Sequence, residues 1–204
     1  MYAIVEDNNI TQYVNYPKSV VIGDIRYPAK IFELWSQSEK EAIGIYEIIV
    51  DRTNYKDPAY YNNTDSSYTF ADGQVTESWG TAIPKRLNDE NAVDDNDDPI
   101  LDEDGNQVIN YGLKTEKKKI VKQQASELLE KTDWHNHKAL DDDTYTIPDN
   151  IKTYRANVRA KSNEMETQID ACTTVDELKA LYEYTRQEDG SQTRPLAEFP
   201  KEVV

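Results

Sequence analysis

The chain of 204 residues is poor in the groups that usually staple a fold or carry out bond chemistry. Its single cysteine, Cys172, excludes an internal disulfide and fits synthesis in a reducing compartment. The seven glycines form neither a Walker A loop nor a Gly-x-Gly-x-x-Gly turn, so nucleotide phosphates have no visible cradle. No Gly-x-Ser-x-Gly elbow is present either. No apolar run approaches the roughly 18 residues that a membrane-spanning helix needs. Basic residues are also scarce, with 23 Lys and Arg against 39 Asp and Glu. The resulting net charge of −16 repels a phosphate backbone or an anionic lipid surface, so neither nucleic acid nor membrane is an expected partner. Glu6 and Asp7 stand where the apolar core of a signal peptide would run, so export is not expected.

What is present is tyrosine and charge. Fourteen tyrosines stand against three phenylalanines, which suits either half-buried strands or a surface that meets a partner. Apolar residues make up 37% and charged residues 30%, a balance that predicts thin layers around one large or two small cores.

The front half reads as short strands joined by turn chemistry. Tyr2 to Val5 and Ile10 to Val14 flank Asp7-Asn8-Asn9, whose residues accept the left-handed conformation of a tight hairpin. Gly23-Asp24 between Val20 to Ile22 and Ile25 to Tyr27 predicts a type II′ turn. Ser36 with Glu39, or Ser38 with Glu41, offers a capping box for a short helix that Gly44 closes. A strand follows at Ile45 to Val50, and Asp72-Gly73 marks a type I′ hairpin between Tyr68-Phe70 and Val75.

Between Asn91 and Asn110 lie Asp94, Asp95, Asp97, Asp98, Asp102, Glu103 and Asp104, with no basic residue. Ala92 to Pro99 reads as a solvated linker, and Ile100 to Ile109 as a hairpin turning at Asp104-Gly105. An EF-hand reading fails on spacing. With Gly105 at the invariant glycine, Ile100 takes the first ligand position and Tyr111 the place of the bidentate glutamate.

The back half is helical. Lys114 to Lys131 carries the stripe Ile120, Val121, Ala125, Leu128 and Leu129, followed by a loop. A second helix opens near Pro148 and buries Ile151, Tyr154, Val158, Met165, Ile169 and Cys172. A third is boxed by Thr174 and Glu177 and shows Leu178, Leu181 and Tyr182, so the second and third are expected to pair as a hairpin. Gln187 to Val204 is polar, with Pro195 and Pro200, and reads as extended.

His135 and His137 could join Asp141, Asp142 or Asp143 on a metal, but His-x-His converges only on an extended segment, so no metal or cofactor is expected. Cys172 on an apolar helix face reads as a small buried hydrophobe rather than a nucleophile. The chain is not expected to be an enzyme. Lys152, Arg155 and Arg159 share one helix face, which either pairs with Asp141 to Asp143 or docks a partner. Trp134, just past a helix end, reads as a packing anchor with the chemistry of an interface hot spot.

Leu128 to Arg159 carries Leu128-Leu129, Thr132-Asp133-Trp134, an acidic loop with Pro148, then Tyr154-Arg155 and Val158-Arg159. This order resembles the C-terminal module of phage tail assembly chaperones and tail-fibre assembly proteins. The segment Glu33 to Tyr46 is also similar to stretches of phage tail-fibre-associated proteins, and the two matches span about half the chain. The family closes with Trp-Pro after a short loop. Here a longer helix and an insertion precede Phe199-Pro200, which stands in that place.

The resemblance implies a protein that helps a tail-fibre or receptor-binding protein fold and trimerise in the host cytoplasm. A permanent tail adaptor or fibre-tip subunit of the virion is the alternative. Trp134, Tyr154, Arg155, Arg159 and Phe199 are the candidate partner-binding residues. The expected architecture is α+β: a small antiparallel β-rich domain at 1–90, an acidic linker and hairpin at 91–113, a helical module at 114–186 and an extended tail at 187–204.

Overall fold

The structure, a computed structural model, describes residues 1–203 and has the expected α+β character. It divides into two compact units, Met1–Ile83 and Pro84–Val204. In the first, β1 (Tyr2–Glu6), β2 (Asn9–Val14), β3 (Val20–Ile22), β4 (Ile25–Tyr27), α1 (Ile31–Leu34), α2 (Gln37–Glu41) and β5 (Ile45–Asp51) follow in order. They are followed by β6 (Tyr61–Asn62), β7 (Ser66–Ala71), β8 (Gln74–Trp79) and β9 (Ile83–Pro84) at the boundary. The main sheet has the order β2-β1-β5-β8-β7. Only β5 and β8 run parallel among its pairs, because the hairpin β7–β8 joins the sheet through its second strand.

The turn chemistry read from the sequence is present. Asp7 (φ 48°) and Asn8 (φ 63°) turn β1 into β2, and Asp72 (φ 51°) with Gly73 (φ 74°) turns β7 into β8. Ser36 and Glu39 form the capping box of α2, each satisfying a backbone N–H of the other. Helix α1 was not anticipated. Ile31 N–H reaches the Pro28 carbonyl, and the turn persists because Ile31 and Phe32 are buried, which local propensity does not register.

Period-two alternation divides this unit's core between the two faces of the sheet. Ile4, Val14, Val20, Ile31, Phe32 and Ile45 pack on one face, and Ala3, Val5, Ile48 and Val75 on the other, with Tyr46, Tyr68 and Phe70 half-buried against the second cluster. Tyr13 of β2 meets Tyr68 of β7 with ring centroids 4.7 Å apart, so the two edge strands curl toward each other. This shields edges that would otherwise offer open hydrogen-bonding groups.

The second unit contains β10 (Glu90–Asn91), β11 (Ile109–Asn110), α3 (Leu113–Glu130), α4 (Asp133–Asp141), α5 (Asp149–Ala171), α6 (Val175–Ala180), β12 (Thr185–Arg186) and β13 (Gln192–Thr193). The stretch expected to be a solvated linker is a hydrogen-bonded turn, and it occurs twice with an eight-residue period. Asp94 Oδ1 accepts from the N–H groups of Asn96 (2.8 Å) and Asp98 (3.0 Å), and Asp102 Oδ1 accepts from Asp104 (3.0 Å) and Asn106 (2.8 Å). Asp97 (φ 64°) and Gly105 (φ 82°) occupy equivalent left-handed positions. The Gln107 amide ties the pair together by donating to the carbonyls of Ala92 (2.7 Å), Ile100 (3.2 Å) and Val108 (3.0 Å). The Asp104-Gly105 turn is as expected, whereas the acid run hid its twin.

The helices also pair differently from the expectation. α5 packs mainly along α3 rather than forming a hairpin with the six-residue α6. Lys118 bonds Asp170 (2.7 Å) and Lys122 bonds Glu166 (3.2 Å), while Arg155 meets the far end of α3, so α3 and α5 are antiparallel. The loop that joins them was expected to be irregular from Trp134 onward and instead contains α4.

Candidate partner-binding site

The site is organised by one arginine. Arg155, 8% exposed, projects from α5 into the elbow between α3 and α4. Its Nη1 donates to the Leu129 carbonyl (2.8 Å) and to Thr132 Oγ1 (2.7 Å), and its Nη2 meets Asp133 Oδ1 at 2.7 Å. Thr132 Oγ1 in turn donates to the same Leu129 carbonyl at 3.0 Å. The orphan acceptors at the end of α3 are thus satisfied by a planar fork whose geometry a lysine cannot copy. The latch joins Leu129, Thr132, Asp133 and Arg155, whereas Leu128 and Tyr154 beside them belong to the apolar cluster between the helices.

The expected basic face therefore dissolves. Arg155 points inward to Asp133 rather than outward to a partner or to Asp141–Asp143. Lys152 pairs with Asp149 at 3.2 Å. Arg159 remains exposed, its Nη1 donating to the Arg155 carbonyl at 3.4 Å. Asp142 is used locally, where bonds from Thr144 hold its carboxyl below the usual carboxylate range.

Trp134 departs from its expected role as a packing anchor. It lies on α4 with 54% of its surface exposed, because the buried position of that turn goes to its neighbour His135. The Trp134 and His135 rings stack with centroids 3.7 Å apart at 26°. Tyr145 extends the array, 6.4 Å from Trp134 and 6.1 Å from His135. Its hydroxyl is hydrogen-bonded to His135 Nδ1, and Lys138 Nζ lies 4.3 Å from its ring centroid. Trp134 thus stacks on His135, Tyr145 is hydrogen-bonded edge-on to that histidine, and Lys138 flanks the tyrosine, which leaves the Trp134 ring as the exposed aromatic face. His137 is exposed on a different side of the helix, so the two histidines do not converge. Among the described residues no group of three or more His, Cys, Asp or Glu could hold a metal ion.

Tyr154 and Phe199 are brought together, but against each other. Tyr154, 4% exposed, packs with Ala125 and Val158, and Leu128, Leu129, Phe199 and Val203 cover that cluster. Burial pushes the Tyr154 phenol up, with the Glu202 carboxylate adding to the effect and Lys131 opposing it. Its hydroxyl has no hydrogen-bond partner among the described residues. Cys172 is buried near the end of α5, and burial raises its thiol as well, so it lacks the character of an activated nucleophile. Of the five sequence candidates, Trp134 and Arg159 are on the surface, Tyr154 and Arg155 are structural, and Phe199 is half-buried. Tyr145 and Lys138 escaped the sequence reading, since only the fold of α4 and its following turn brings them to Trp134.

The chain matches no family model, no curated protein and no solved structure.

Proposed function

We propose that this protein is an assembly chaperone for a phage tail fibre, acting by binding rather than by bond chemistry. The Arg155 latch is the observation that carries the proposal. It joins Leu129, Thr132, Asp133 and Arg155, four of the positions on which the resemblance to tail-fibre assembly proteins rests, at the elbow beside which Trp134 is exposed on α4. An exposed Trp134 ring stacked on His135, which Tyr145 holds by a hydrogen bond and Lys138 flanks, suits capture of an apolar strand edge on an unassembled fibre chain. The net charge of −16 keeps such a complex soluble and disfavours self-association.

Co-expression with the tail-fibre protein of the same phage tests this reading. Soluble fibre trimer should rise with the intact chain and fall to the level without chaperone when Trp134→Ala replaces it, while the helical circular dichroism stays unchanged. Fibre that trimerises equally well alone and captures nothing overturns the proposal. Stoichiometric retention in purified particles would assign the chain to the virion instead.

A further inference from the structure

We propose that the α3–α5 surface beneath the C-terminal tail is a peptide groove, and that residues 194–203 are its resident, displaceable occupant. They stand in for an extended partner segment that carries an aliphatic and an aromatic side chain three residues apart. The inference goes beyond the assembly reading and stands without it.

The tail is held as a bound peptide is held. From Arg194 to Val203 it adopts no helix or strand, yet Leu196 is 2% exposed and Phe199 lies against Ala125, Tyr154 and Val158. Its main chain is read by one side-chain amide. Gln168 on α5 donates from Nε2 to the Pro195 carbonyl (3.0 Å) and accepts at Oε1 from the Ala197 N–H (2.8 Å). That pair imitates the rungs of a strand ladder and recognises backbone rather than sequence, as strand-addition sites do. One further backbone bond, from Leu196 N–H to the Leu181 carbonyl (3.0 Å), fixes the register. The distal clasp is the ion pair of Lys131 with Glu202, both about half exposed and open to screening by salt.

Two observations point to exchange. The tail is reached through the hairpin β12–β13, whose residues 185–193 are all exposed, so the connection to the tail contributes no buried residue to the helical core. The resident also fits imperfectly. The Tyr154 hydroxyl beneath it is buried and has no acceptor among the described residues, so an incoming segment that supplies one gains about ten-fold in affinity over the tail.

The test uses the full chain and a fluorescent peptide with the sequence of residues 194–204. The variant Leu196→Asp/Phe199→Asp should bind the peptide at least about ten-fold tighter than the native chain, because its own tail no longer competes. A peptide carrying the same two substitutions should not bind. Equal affinity for native and variant chains of unchanged helicity overturns the proposal. Lys131→Glu decides the matter independently if the double variant unfolds. Exchange of the backbone amides at 196–199 and 201–203 should then rise about three-fold or more while the α5 amides stay protected, and unchanged exchange overturns the displaceable strap. A concentration-dependent dimer of the native chain that the free peptide dissolves also overturns it, in favour of tail exchange between copies.

Discussion

The two units combine the same supports, a buried apolar core and polar side chains tied to distant backbone such as Glu6 at the Gly23 N–H or Asn54 at the Trp79 carbonyl, but on different frameworks. Met1–Ile83 relies on alternation: successive residues of one curled sheet feed two apolar clusters, and the turns between strands are set by their own residues. Pro84–Val204 also buries an apolar core, from Leu113 to Leu196, and there the side-chain links to backbone close junctions between helices and turns. Arg155 closes the α3–α4 elbow, Gln168 holds the tail, Gln107 ties the tandem turns and Asp89 takes the Gly112 N–H at 2.8 Å. In a chain with 37% apolar residues, such side-chain links supplement burial in both units. The lesson is that local patterning supports a fold in which each residue's role depends on its neighbours in sequence. Latches support one in which a single residue can govern a distant junction.

Substitutions at each kind of support sharpen the contrast. Ile45→Ala, at a fully buried site on β5, should cost about 3 to 4 kcal/mol. Amide exchange should show that loss in the sheet and leave α3 and α5 protected. Arg155→Ala should cost about 3 kcal/mol, seen in denaturant melts of the helical signal at 222 nm, with sheet exchange unchanged. Arg155→Lys should recover less than half of that loss, because one ammonium cannot serve the Leu129 carbonyl, Thr132 and Asp133 together. Full rescue by lysine would reduce the latch to a simple charge pair.

Acid should separate the units next. Backbone N–H bonds hold Asp89, Asp94, Asp102 and Glu177 below their ordinary values, and Thr144 does the same for Asp142. In the first unit Glu39 and Asp51 are lowered by Ser36 and Thr53. A carboxyl with a depressed folded value contributes stability that is complete above its unfolded value and is lost as the pH falls through the folded one. Thermal melts below about pH 4 should therefore show the helical transition falling earlier than that of the sheet. Coincident loss would mean that the tandem turns and the α6 cap contribute little. The smallest effect is expected at Trp134→Ala, within about 0.5 kcal/mol, since an exposed ring supports binding rather than folding.

Legibility followed the same division. The hairpins at Asp7-Asn8 and Asp72-Gly73, the Ser36–Glu39 and Thr174–Glu177 capping boxes, and the apolar stripes of α5 and, apart from the exposed Ile120, of α3 were readable, because each depends on residues within about one turn of one another. Helix α1 and the burial of Leu196 were not, since both exist only because a distant surface covers them. The site was half legible. Its residues stood in the sequence, but helical spacing placed Arg155 on a basic face and the helix end placed Trp134 in the core, and the two exchanged roles.

By itself the sequence determined where the chain turns, which stretches become strands and helices, and that the molecule carries a large negative charge. Turn type, capping and hydrophobic period are decided by residues within hydrogen-bonding or packing reach along the chain. Only the tertiary structure decided which polar groups are spent inside and which remain available outside. Arg155 is buried because the end of α3 presents it with a carbonyl, a hydroxyl and a carboxylate, and Trp134 is exposed because His135 occupies the inward position. Those are properties of a junction between helices, and the energy of a buried charge is fixed by the partners that meet it there.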